Sequence, residues 1–113
     1  MTVKSAKRVD ATLSALADPT RRRVVELLRT RPHRAGELAS KAQTSAPAMS
    51  RHLRVLRTNG LVEAGPVEHD ARLRVYRLRP QPFAALEKWL DEVQSFWDTQ
   101  LGAFKEHAER RQT

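Results

Sequence analysis

The chain contains no cysteine. Disulfides, thiolate metal sites and redox thiols are thereby excluded. No run of about 18 apolar residues occurs, so no segment reads as a membrane span. The first eight residues, Met1-Thr2-Val3-Lys4-Ser5-Ala6-Lys7-Arg8, hold no apolar stretch of the kind a secretory signal needs. The expected location is the cytoplasm. Glycine is scarce, with four in all, and no glycine-rich phosphate loop is present. Without a thiol nucleophile, such a loop or a His/acid cluster, the chain does not read as an enzyme, and no cofactor is expected. Aromatics number six, and five of them (Phe83, Trp89, Phe96, Trp97, Phe104) are crowded into the final third.

What is abundant is positive charge. The 113 residues carry a net charge of +8, unevenly spread. Residues 1–79 hold 17 Lys/Arg against 7 Asp/Glu, whereas residues 80–113 hold 4 against 6. That asymmetry points to a nucleic-acid face on the first part and a different task for the last. The competing interpretation is an ordinary solvated surface rich in arginine, and it weakens beside the pattern described next. The length fits one domain, 1–113, with a core small enough that a dimer burying more surface is expected.

Residues 45–62 read Ser-Ala-Pro-Ala-Met-Ser-Arg-His-Leu-Arg-Val-Leu-Arg-Thr-Asn-Gly-Leu-Val. Ser45 is suited to cap a helix, because its hydroxyl can accept from otherwise unpaired amides. Pro47 falls in the first turn, where its missing N–H costs nothing. Met49, Leu53 and Leu56 lie on one face at spacings of four and three, and Ser50, Arg51 and Arg54 point the other way. Asn59-Gly60 supplies the stop, since glycine accepts the left-handed conformation a helix end needs. A helix buried on one face, with small polar residues and arginines near its exposed N-terminal half, suits the major groove of DNA. Residues 35–42 predict a shorter helix before it, with Leu38 and Ala39 or Ala42 inward, and Gln43-Thr44 form the intervening turn. Helix, turn and capped helix make a helix-turn-helix.

A hairpin is predicted next. Residues 61–67 and 72–78 are strand-like around a turn at Glu68-His69-Asp70-Ala71, with Pro66 marking the first strand as an edge or irregular. Arg72 and Arg74 alternate along the second strand and so share a face. Upstream, Val9, Leu13, Leu16 and Ala17 predict a first helix over 5–17. Asp18 as cap and Pro19 at the first helical position open a second helix, with Val24, Val25, Leu27 and Leu28 inward and Arg31-Pro32-His33 ending it. The last helix is predicted over 81–107, with 109–113 a frayed tail. Its apolar residues Phe83, Leu86, Leu90, Val93, Trp97, Leu101 and Phe104 recur at three and four. One small domain cannot cover so long a stripe, so part of it should face a partner.

Five blocks in this order and spacing are Asp18-Pro19-Thr20-Arg21-Arg22-Arg23, Gly36-Glu37-Leu38-Ala39, Ser50-Arg51-His52-Leu53-Arg54-Val55-Leu56, Gly60-Leu61-Val62 and Tyr76-Arg77-Leu78. Together they resemble the ArsR-type winged-helix repressors over residues 10–107. The resemblance implies a mainly α fold with a small β-hairpin, the winged helix-turn-helix of order α1-α2-α3-α4-β-β-α5. It implies a homodimer held by 5–17 and 81–107, with Leu13, Leu16, Leu90, Val93, Trp97 and Leu101 at the interface. It also implies that 35–79 binds double-stranded DNA at an imperfect palindrome. By position against the family motif, Ser45, Ala46, Pro47, Ser50 and Arg51 approach the bases or backbone. His52, Arg54, Arg72 and Arg74 complete the expected DNA-binding set, with His52 structural or phosphate-facing. Family members often carry Gln where Ala46 stands, which shifts base reading toward Arg51. Metal-sensing members use Cys on α3, or Asp and His on α5. Here α3 has no thiol, and α5 offers one histidine, His107, among Glu87, Asp91, Glu92, Asp98, Glu106 and Glu109. No metal site is therefore expected, and the acids read as a solvated face, with a hard-ligand or nickel-type site shared across a dimer as the alternative. His33 and His69 read as surface turn residues. The expected function is a dimeric repressor released by an unidentified signal. The alternatives are a winged-helix protein-interaction module, against which Arg51, Arg54 and Arg57 argue, and a nonspecific DNA-binding protein.

Overall fold

A computed structural model describes residues 2–111. The element order is α1 (Val3–Ala15), α2 (Pro19–Leu28), α3 (Ala35–Lys41), α4 (Ala46–Thr58), β1 (Val62–Val67), β2 (Asp70–Leu78) and α5 (Pro80–Arg111). This is the winged helix-turn-helix order expected from the sequence. The core gathers Val24 and Leu28 of α2, Leu38 and Ala39 of α3, Met49, Leu53 and Leu56 of α4, and Leu61 and Val62. Each fully buried Leu or Met there contributes roughly 1.5–3 kcal/mol over leaving it in water. The inward face expected of α4 is thus the one observed.

The corner between α1 and α2 depends on polar groups. Asp18 caps α2 by accepting from the Arg21 amide at 3.0 Å, and Pro19 sits in the first turn. Arg21 then reaches back, its Nε donating to the Ala15 carbonyl at 2.6 Å, and Arg22 Nη1 donates to the Leu16 carbonyl at 2.8 Å. These bonds satisfy carbonyls that the end of α1 leaves unpaired. The helix therefore stops at Ala15, two residues before the predicted end, and Ala17 is exposed rather than inward. The buried face of α1 is Val9, Thr12 and Ala15, while Leu13 is 42% exposed and Leu16 half-buried. Thr12 tolerates full burial because its hydroxyl donates to the Arg8 carbonyl of its own helix at 3.0 Å.

Strands β1 and β2 pair antiparallel from Val62 with Leu78 to Pro66 with Arg74. Val67 then pairs with Asp70, so the register breaks beside the proline, which has no N–H to continue the ladder. The turn narrows to Glu68-His69, and β2 starts two residues earlier than predicted.

His33 is a correction. It is 1% exposed rather than on the surface. Its backbone exchanges bonds of 3.1 and 2.8 Å with Tyr76, adding a short third strand position to the hairpin. Its Nδ1 donates to the Arg31 carbonyl at 2.8 Å, and its Nε2 lies 3.5 Å from Lys41 Nζ. A turn residue that closes a sheet edge is covered by that sheet, and this is invisible to local reading.

Helix α5 has 32 residues, about 48 Å at 1.5 Å per residue. It continues through Arg111, where a frayed tail was expected; residues 112 and 113 lie outside the described residues. α1 packs along its first half. From Asp91 to His107 every residue is exposed, so the second half stands clear of the domain.

Candidate nucleic-acid interface

The turn between α3 and α4 is made by Gln43, whose φ of 55° is left-handed. The Gln43 amide donates to the Ser40 carbonyl at 3.2 Å, and the Thr44 amide to the Ala39 carbonyl at 3.0 Å. These two bonds close α3 in the Schellman manner and swing the chain into α4. Glu37 steadies the other end of α3. Its Oε1 accepts from the Arg34 amide at 3.2 Å, and its Oε2 meets Arg31 Nη2 at 2.9 Å. The Arg31 guanidinium, and then the Arg34 amide, lower the Glu37 carboxyl to about 2.

Ser45 caps α4 as its position predicted, accepting from the Ala48 amide at 3.2 Å. Ser45→Ala should cost about 1 kcal/mol of folding stability, read as a lower denaturant midpoint at unchanged slope. An unchanged midpoint would show that water replaces the cap. At the far end Gly60 adopts φ 78°, its amide donates to the Arg57 carbonyl at 3.0 Å, and Leu61 N–H donates to the Leu56 carbonyl at 2.9 Å. Leu61 is thereby turned into the core beneath Leu56.

Held this way, α4 presents Ser45, Ala46, Pro47, Ser50, Arg51 and Arg54 to solvent on one side. Arg57 is exposed as well and lines a shallow depression with Arg54. Arg57 lies three residues beyond Arg54, and that spacing is the signal that could have added it to the predicted set. Among the described residues, no acid pairs with Arg51, Arg54 or Arg57. His52 stands apart from this face. It is half-buried, with Nδ1 3.9 Å from Asp18 Oδ1, and so braces α4 against the start of α2. The Arg21 amide, and then the charge of His52, hold the Asp18 carboxyl below its ordinary value, against the opposing effect of burial.

On the hairpin, Arg72 and Arg74 are both exposed, as the alternation predicted. Asp70 accepts from the Arg72 amide at 3.0 Å and lies 3.5 Å from its Nε. Not every arginine is on offer to a ligand: Arg21, Arg22 and Arg31 are occupied with carbonyls and Glu37. Among the described residues no helix is long and apolar enough to cross a membrane.

Residues 18–64 match the family model of the bacterial regulatory protein, arsR family. The chain is 43% identical over 95 residues to the HTH-type transcriptional regulator Rv2034 of Mycobacterium tuberculosis, covering 84% of this chain and 83% of that one. An ArsR-like transcriptional regulator from Rhodococcus sp. RHA1 superposes with a TM-score of 0.77 at 28% identity, covering 92% of this chain and 95% of the other. HlyU from Vibrio cholerae N16961 superposes with a TM-score of 0.64 at 28% identity, covering 78% and 94%. A capped helix with an unpaired cationic face, a flanking wing and these relatives lead to one conclusion: the chain belongs to the ArsR family of bacterial regulatory proteins and is a DNA-binding transcriptional regulator, not an enzyme.

Proposed function

We propose that the protein is a homodimeric, sequence-specific repressor that sits on an imperfect palindrome in the cytoplasm and is released by a signal. The observation that carries this reading is the exposed face of α4, where Ser50, Arg51, Arg54 and Arg57 project without acidic partners among the described residues. Small residues at Ser45, Ala46 and Pro47 leave the helix N-terminus slim enough to enter a major groove, and Arg51 follows one turn later. His52 acts as a strut between helices rather than as a reader of bases.

Dimerisation is supported by the apolar residues that α5 leaves in solvent. Leu90, Val93, Trp97 and Leu101 are 51%, 38%, 57% and 58% exposed, an unfavourable arrangement for a lone chain in water. Leu13 and the exposed part of Leu16 add apolar surface from the first helix and its end. A two-fold dimer would set the two α4 helices about 34 Å apart or a multiple of it, matching successive major grooves.

Selection of bound duplexes from a random pool tests the reading. The expected product is an imperfect palindrome with half-site centres one helical turn or a multiple apart, bound in the presence of competitor DNA. Enrichment of no sequence would leave a nonspecific DNA-coating protein. The wing gives a second measurement. Arg72→Ala and Arg74→Ala should each weaken cognate and random DNA alike, and lower the salt slope by about 1 for each phosphate that is no longer neutralised. Unchanged slopes in both variants would remove the hairpin from the binding surface.

A further inference from the structure

Where the end of α4 meets α1 and the start of α5 lies a polar cavity of about 300 Å³. Arg8 of α1, Thr58 and Asn59 at the end of α4, and Arg79 and Gln81 at the start of α5 line it. Among the described residues, two that line it are cations and none is an acid. Neither guanidinium meets an acid there, and neither is spent on a carbonyl as those of Arg21 and Arg22 are. Arg8 and Leu13 stand about 140° apart around α1, so a dimer seam at Leu13 runs along another side of that helix.

An arginine beside a helix C-terminus ordinarily serves the free carbonyls of the last turn. Here local donors already do so. The Val55 carbonyl accepts from the Asn59 amide at 3.1 Å and from its Nδ2 at 2.9 Å, the Leu56 carbonyl from Leu61 and the Arg57 carbonyl from Gly60. At the start of α5 a cation is badly placed, because a helix N-terminus itself carries about half a positive charge. The first turn of α5 holds no acid. Pro80 and Pro82 have no N–H, so Gln81 is the amide donor among its first three residues. Cations from two elements and a positive helix end thus converge on a cavity to which the chain gives no negative group, and an anion relieves that repulsion.

We infer that this cavity binds a small phosphate-bearing molecule, held through its phosphate by Arg8 and Arg79, and that this molecule is the signal. Guanidinium groups match phosphate oxygens with paired, charge-assisted hydrogen bonds. The Arg79 amide already donates to the Leu61 carbonyl at 2.9 Å, which hinges the start of α5 to the end of α4. An anion held between Arg79 and Arg8 adds α1 to that junction, so occupancy sets how the recognition helix is held against both dimerisation helices. Asn59 lies about 21 Å along α4 from Ser45, remote from the end assigned to bases. The signalling role rests on the repressor proposed above, whereas the anion site does not. DNA carries the same phosphate group, and the test separates the two sources.

Titration calorimetry with inorganic phosphate, at constant ionic strength in chloride and without DNA, tests the site. The wild-type chain should bind phosphate saturably. Arg8→Gln and Arg79→Gln, both at exposed positions, should each weaken that binding by about tenfold or more. Arg23→Gln, which removes the same charge from exposed α2 surface, should leave it unchanged. A response that never saturates, or equal losses in all three variants, is general attraction to a basic chain and overturns the site. With the selected duplex, saturating phosphate should shift wild-type DNA affinity by about fivefold or more and leave Arg8→Gln/Arg79→Gln unmoved, with wild-type salt slopes in both variants. A slope lowered by about 1 in each assigns the arginines to DNA phosphate and overturns the free anion. Saturable phosphate binding with DNA affinity unmoved overturns the signalling role. A chain that binds phosphate saturably but enriches no sequence from the random pool supports the site and overturns the repressor instead.

Discussion

Trp97→Ala is expected to weaken self-association by about 2–4 kcal/mol, roughly 30- to 700-fold in the dissociation constant. The reason is local. Trp97 lies at the middle of the exposed stripe and touches none of the buried core, so the folded protomer has little to lose. A large, rigid ring centred in a dimer seam is the type of side chain whose truncation costs most. Affinity for a palindromic site should fall with it, although Trp97 stands far along α5 from the recognition helix, because a monomer grips a single half-site. The loss should shrink as protein concentration rises and mass action restores the dimer. Sedimentation of the variant beside operator titrations at several protein concentrations decides the matter. A variant that stays dimeric and binds normally would move the interface elsewhere.

Arg51→Ala is expected to cost about 1–3 kcal/mol on the cognate site and to relax base preference at one position per half-site. Arg51 is exposed, has no acidic partner among the described residues, and sits one turn past Pro47 in the first turn of α4. A guanidinium there can donate twice to guanine, to O6 and N7, and Arg51→Lys should recover charge but not this forked geometry. Binding of each variant to cognate and to random duplex separates the roles. Equal losses on both would assign Arg51 to phosphate, and base reading would then pass to the neighbouring positions of α4.

Much of the binding half was legible in the residues themselves. The inward face of α4 repeats at the helical period, Ser45 and Asp18 are caps that act within three residues, and Gly60 meets a conformational need local to one peptide. Several features lay beyond a reading of the residues alone. Thr12 is buried because its own helix accepts its hydroxyl proton, which outweighs its polar identity. Arg21 and Arg22 look like members of a basic cluster, yet they are spent on the carbonyls at the end of α1. His33 lies 43 positions before its strand partner Tyr76, and no window along the chain spans that distance.

The chain alone therefore determined what short-range chemistry carries: where α2 and α4 begin and where α4 stops, which side of α4 is apolar, where cations accumulate, and the family to which the order of motifs belongs. Tertiary structure decided which of those cations are left without partners, that a turn histidine closes a sheet edge, and that the second half of α5 projects uncovered. Such properties depend on what lies opposite a residue in space. Exposure, pairing and cover are relations between distant segments, and they exist only once the chain has closed on itself.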